Sequence, residues 1–223
     1  MSKRAFYTAL PVMAGYFVLG VPCGILGAHA GMSAAQMALM SALFYSGAGQ
    51  YLIANMWLAG APIASIVLSV SLVNGRQMLY AAAMARFCGG VGKRLTTLFA
   101  ATITDESFGV NLARFASGEA WSVREATLVN LFSQSAWIVA NVVGAALGAV
   151  LPVPTVLASF AMTSIFICLL CIQRFDRSAR NGALAAAVGV CLCKLAGFAG
   201  PAILVGALVG VVAAMLTPKG EAS

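Results

Sequence analysis

Charge is what this sequence has least of. Across 223 residues there are 13 Lys and Arg, 6 Asp and Glu, and a single histidine, His29. A soluble domain of ordinary composition carries about a quarter charged residues, whereas here hydrophobic residues reach 61% and the mean hydropathy is +0.96. This excludes an ordinary soluble domain. One histidine excludes a multi-histidine metal site within one chain, and neither a metal nor a cofactor is expected. The net charge of +7 comes from basic residues scattered between apolar runs. It marks cytoplasmic loop anchors rather than a nucleic-acid surface. No nucleotide-binding signature is present. The chain also lacks the short alternating segments of a membrane β-barrel.

What is there instead is long apolar sequence. Runs fall at about 6–29, 37–59, 62–87, 96–117, 126–150, 154–173, 182–198 and 201–217, and a full membrane span needs about 20 residues. The fold class is therefore all-α: a polytopic integral membrane helical bundle of seven to eight apolar segments. Residues 1–223 are expected to form a single transmembrane domain. Met1-Ser2-Lys3-Arg4 reads as the cytoplasmic flank of a first membrane segment rather than as a signal peptide. Cytoplasmic placement of Lys3 and Arg4, of Arg86, Lys93 and Arg94, and of Arg174, Arg177 and Arg180 gives the wrong parity if every run crosses. Two arrangements remain open. Either 37–59 and 96–117 are broken or re-entrant helices entering from opposite faces, as in inverted-repeat transporters, or eight full spans break the charge rule once. Cys23, Cys88, Cys168, Cys171, Cys191 and Cys193 lie in or beside apolar helices and read as small buried hydrophobes.

Chemistry concentrates where polar residues interrupt the apolar runs. Arg76 sits near the middle of the run 62–87, and no other Asp, Glu, Lys or Arg occurs between it and Arg4. A charge at membrane depth costs a few kcal/mol or more and marks a functional site. Arg76 either binds a carboxylate or pairs with Asp105 or Glu106. Pairing is preferred, because a buried arginine is costly whenever substrate is absent. Arg76 and Tyr80 share a helix face; Asn74 and Gln77 share another, and Asn74-Gly75 is a candidate local break. In Tyr45-Ser46-Gly47-Ala48-Gly49-Gln50 the two glycines either break the helix or mark a close helix contact. A break would start a half-helix near Gln50, whose free N–H groups suit an anionic group. Thr104-Asp105-Glu106 either lies at membrane depth or caps a helix at the surface. At depth, one acid would balance Arg76 while the other meets an ammonium group or carries a proton. The candidate substrate-binding residues are thus Ser46, Gly47, Gly49, Gln50, Asn74, Arg76 and Tyr80. Asp105 and Glu106 are the candidate coupling or ion-pair residues. Asn130, Gln134 and Asn141 are expected to make interhelical hydrogen bonds. Arg114, Glu119, Arg124 and Glu125 are expected to form a solvated, charge-balanced loop. No nucleophile–base set is evident, so an enzyme is not expected.

These motifs resemble those of the AzlC family of branched-chain amino acid permeases. The family's Leu-Pro-x-x-x-Gly-Tyr-x-x-x-Gly stands here as Leu10 to Gly20. Its Phe-Ala-Gly-Ala-Ser-Gln-like stretch is Tyr45 to Gln50. Its Asn-x-Arg followed by Tyr is Asn74, Arg76 and Tyr80, and its Thr-Asp-Glu is Thr104-Asp105-Glu106. Departures are Gly75 and Gln77, where the family usually carries a bulky residue and a His, and Ser159-Phe160 in place of an Asp-Phe pair. The resemblance implies a secondary transporter subunit exporting Leu, Ile or Val, or Met, across the bacterial inner membrane. It also implies a small membrane partner of the AzlD type, with no nucleotide involved. A permease for another small zwitterion, or a membrane assembly subunit that does not itself transport, are the alternatives.

Overall fold

A computed structural model describes residues 2–118, 120–151, 154–172, 177–197 and 202–217. Glu119 and Arg174 lie outside the described residues, as do the side chains of Ser159, Cys168 and Cys171. Every regular element among the described residues is helical: α1 Ser2–His29, α2 Ala34–Leu43, α3 Gly47–Leu58, α4 Ile63–Met84, α5 Lys93–Ala101, α6 Asp105–Ala116, α7 Val123–Val150, α8 Thr155–Ile172, α9 Arg177–Leu195 and α10 Ala202–Leu216. By length and composition, Lys3–His29 and Val123–Val150 are long and apolar enough to cross a membrane. The runs 37–59 and 96–117 fail that test because each is divided into two short helices.

Helices α1 and α7 form the central pair and run parallel. Arg4 at the start of α1 donates to the Ala120 carbonyl. Gly20 meets Ala140, Gly24 meets Asn141 and Ala145, and Gly148 meets Ile25. The two backbones approach so closely that a Cβ on Gly24 would collide with the Asn141 carbonyl oxygen. One on Gly144 would collide with that of Val21. Small residues permit this packing, which dispersion rather than hydrophobic exclusion stabilises in an apolar medium.

Two bent pairs flank this core. Capped by Ser33 and Gln36, α2 starts beside Gly27, which touches Met37. It runs antiparallel to α1 as far as Ala42, whose carbonyl accepts from Gln134. The chain turns at residues 44–46, and α3 returns along α4. Leu52 packs with Ile66 and Val70, and Ser46 lies beside Asn74. The second pair enters from the opposite end. Helix α5 rises to Thr102, beside Asn130, and the chain turns at residues 102–104. Helix α6 then returns, with Phe108 stacked on Tyr80 and Phe115 on Phe87.

The order long helix, short helix, bend, short helix therefore occurs twice, in opposite directions. The helix lengths are 28, 10 and 12 residues in the first unit and 22, 9 and 12 in the second. Four expectations change. Asn141 bonds within its own helix, its Nδ2 donating to the Trp137 carbonyl, rather than between helices. The half-helix begins at Gly47, not near Gln50, because the Ser46 side chain caps it by accepting from the Gly49 amide. Asn74-Gly75 is no break; α4 is helical throughout. The solvated loop is replaced by packing. Arg114 belongs to α6 and donates to Thr8, Arg4 and Arg114 both lie over the Trp121 ring, and Glu125 is buried in a capping box with Ser122.

Candidate functional site

Both bends reach the same depth, and Tyr16 on α1 stands between them. Its ring packs edge-on against Tyr45 and Trp137. Its hydroxyl donates to Glu106 Oε2 at 2.6 Å and lies 2.5 Å from Thr104 Oγ1. Thr104 caps α6, bonding the Ser107 amide while the Ser107 hydroxyl returns to the Thr104 amide. On the other side, the cap of α3 is held by α4: Ser46 Oγ donates to Asn74 Oδ1 at 2.6 Å. Gln77 Nε2 reaches the Tyr45 carbonyl at 3.4 Å. Each bend is thus fastened by its capping hydroxyl to the long helix of the other unit. Thr104-Asp105-Glu106 is a helix cap, and Thr104 is buried inside the bundle.

Asp105 and Glu106 are the first two residues of α6 and point to different partners. Arg76 Nη2 lies 2.8 Å from Asp105 Oδ2. Tyr80 OH donates to Asp105 Oδ1 at 2.7 Å. The shared face of Arg76 and Tyr80 thereby grips a single carboxylate, while Glu106 meets Tyr16.

A cavity lies between the bends. Tyr16, Leu19, Tyr45, Ser46, Gly47, Ala48, Tyr51, Arg76, Gln77, Thr104, Asp105, Glu106 and Trp137 line it. One wall is the start of α3, where the Gly47 and Ala48 amides are first-turn donors without an acceptor inside their own helix. The other is the start of α6 with its two acids. Among the described residues, two buried polar atoms on the wall have no hydrogen-bond partner, Tyr45 OH and Arg76 Nε. Leu19, Tyr51 and Trp137 supply apolar surface. The lining therefore offers N–H and hydroxyl donors on one side, a carboxylate on the other, and aromatic and aliphatic faces between. That set matches a small zwitterion with an apolar side chain.

Of the residues singled out from the sequence, Ser46, Gly47, Arg76, Asp105 and Glu106 come together on this wall. Asn74 and Tyr80 stand one bond behind it, holding Ser46 and Asp105. Gly49 packs where a Cβ would press on the Phe44 ring at 2.8 Å. Gln50 is only 1% exposed. Its Nε2 donates to the Phe44 carbonyl, and its Oε1 accepts from Trp137 and Ser41, so it closes the first bend. Tyr16, Tyr45 and Trp137 were not among the sequence candidates for the site. Tyr16 was legible as part of the Leu10 to Gly20 motif; Tyr45 carried no separate signal, since an aromatic in an apolar run reads as packing.

The family model described as AzlC protein matches residues 11–151, which takes in both bends and the whole cavity wall. A Helicobacter pylori (strain J99) protein named "Uncharacterized membrane protein" is 30% identical over 96% of this chain and 93% of its own length. The Bacillus subtilis "Branched-chain amino acid transport protein AzlC" is 27% identical over 99% of this chain and 87% of its own. The Escherichia coli "Inner membrane protein YgaZ" is 28% identical over 94% and 86%. No solved structure matches.

Proposed function

Because the chain belongs to the AzlC family, we propose that it is the large subunit of a secondary transporter that exports branched-chain amino acids across the inner membrane together with a small AzlD-type membrane subunit. The single observation that carries this reading is the cavity. It lies where two opposed bends meet, and its polar groups are sorted into donors and a carboxylate around an apolar wall. The Bacillus subtilis relative's name supports an amino acid as cargo, and the Escherichia coli relative's name supports the inner membrane. The substrate carboxylate meets the start of α3 and the Tyr45 hydroxyl, its ammonium group meets Glu106, and its side chain packs on Leu19, Tyr51 and Trp137. Arg76 and Asp105 neutralise each other and hold the start of α6 at the site.

The test is efflux of L-valine, L-leucine, L-isoleucine and L-methionine from loaded cells that lack their own exporters, comparing this chain alone and with its small partner. Stereoselective efflux is expected only with both. Arg76→Ala strips Asp105 of its ion pair and is expected to abolish efflux at normal membrane abundance. Lys194→Ala, in the last turn of α9 and outside the cavity lining, is expected to leave it unchanged. Normal export by Arg76→Ala would overturn the assignment of the site. Efflux of another small zwitterion alone would keep the site and change the cargo.

A further inference from the structure

Two acids stand side by side at the start of α6, and their surroundings give them different work. Both oxygens of Asp105 are occupied, one by Arg76 and one by Tyr80. Glu106 has no cation within ion-pair distance among the described residues. Its one hydrogen bond is from Tyr16 to Oε2, and it lines the cavity. The titratable or charged groups that face it are Tyr16 from α1, Tyr45 from the first bend, Arg76 and Tyr80 from α4, and its neighbour Asp105; α7 contributes only Trp137. Arg76 is already engaged with Asp105, so the wall carries one carboxylate in excess of its cations. Glu106 is partly buried on that wall, and two groups can neutralise its charge there: a proton, or an ammonium group.

Those two groups exclude one another, because both act on the same carboxylate. Resting on the transporter reading above, we propose that Glu106 is the exchange site that couples transport to protons. It holds either a proton or the substrate's ammonium group, never both. Binding of one zwitterion expels one proton from the Glu106 carboxyl to the solution, and the charged carboxylate then pairs with the ammonium group. No other bond forms or breaks. Return of the empty carrier requires Glu106 to take a proton from the opposite side, so one amino acid leaves for each proton that enters. Tyr16, bonded to Oε2 and beside Thr104, is a positioning residue that fixes the carboxylate and leaves Oε1 toward the cargo.

Calorimetry on the purified protein, with its small partner present, in buffers of different ionisation enthalpy counts protons released on binding. The probes are L-leucine and 4-methyl-2-oxopentanoate, which has the same carbon skeleton but no ammonium group. L-leucine is expected to release protons on binding, more of them as the pH falls, and to bind more weakly at low pH. The 2-oxo acid is expected to bind without release. Glu106→Gln is expected to lose L-leucine binding and keep the 2-oxo acid, which also reports that the variant is folded. Glu106→Asp is expected to keep proton release with a displaced pH profile. L-leucine binding without proton release, or release that survives Glu106→Gln, overturns the exchange while the transporter reading stands. Binding of neither probe at any pH overturns both.

Discussion

Tyr45 carries a buried hydroxyl on a side chain only 9% exposed, near Tyr16 and Thr104 but in regular hydrogen-bond geometry with neither. An unsatisfied buried polar group costs about 1–3 kcal/mol, and the fold tolerates it at the wall of the cavity. The expected signature is a separation of stability from affinity. Tyr45→Phe is expected to melt at or above the wild-type temperature in detergent. It is also expected to bind L-leucine about tenfold more weakly, the equivalent of roughly 1.4 kcal/mol for one lost hydrogen bond to a charged carboxylate. Unchanged affinity with raised stability would assign Tyr45 to packing alone. The Arg76–Asp105 pair was legible in the sequence because a charge-poor chain leaves a deep arginine few possible partners. Which of the two acids it takes was not legible. That choice depends on where Tyr80, Arg76 and Tyr16 sit around the first turn of α6, and adjacent residues on a helix point about 100° apart.

At the scale of elements, close backbone approach governs the α1–α7 pair and capping governs the bends. Gly144→Val places a branched side chain against the Val21 carbonyl and is expected to destabilise the protein by about 1–3 kcal/mol or more through overpacking, seen as loss of folded protein from the membrane. Gly15→Ala, where a Cβ meets nothing within 4 Å, is the matched control and is expected to fold normally. Equal behaviour of the two would contradict the packing account. The positions of both bends were legible from their polar residues. For the first, Gly47 and Gly49 read either as a helix break or as a close contact; both lie inside α3 and pack against the Trp137 and Phe44 rings. The chain leaves helical geometry at residues 44–46, and three side chains hold it there: the Ser46 cap, the Asn74 bond to it, and Gln50 bound to the Phe44 carbonyl. Two of these partners are distant in sequence or reach back across the bend, which residue-type propensity does not register.

For the whole molecule, the central claim is that two opposed bent pairs, entering from opposite faces, deliver one substrate site at the depth where they meet. The repeat behind this was invisible as residue similarity. It lies in helix lengths, order and direction, and in the matched fastening of Ser46 to α4 and Thr104 to α1. The parity of basic residues had left re-entrant pairs and eight full spans both open, since charge counts fix which loops share a face but not the path between them. Cysteine accessibility in sealed cells decides it most directly, in a variant whose 6 native cysteines are replaced. Met32→Cys and Ala59→Cys flank the first pair; Lys93→Cys and Ser117→Cys flank the second. The expected result is that residues 32 and 59 label from the outer face and residues 93 and 117 from the cytoplasmic face. Labelling of 32 and 59 from opposite faces would make α2 and α3 a full crossing and contradict the account.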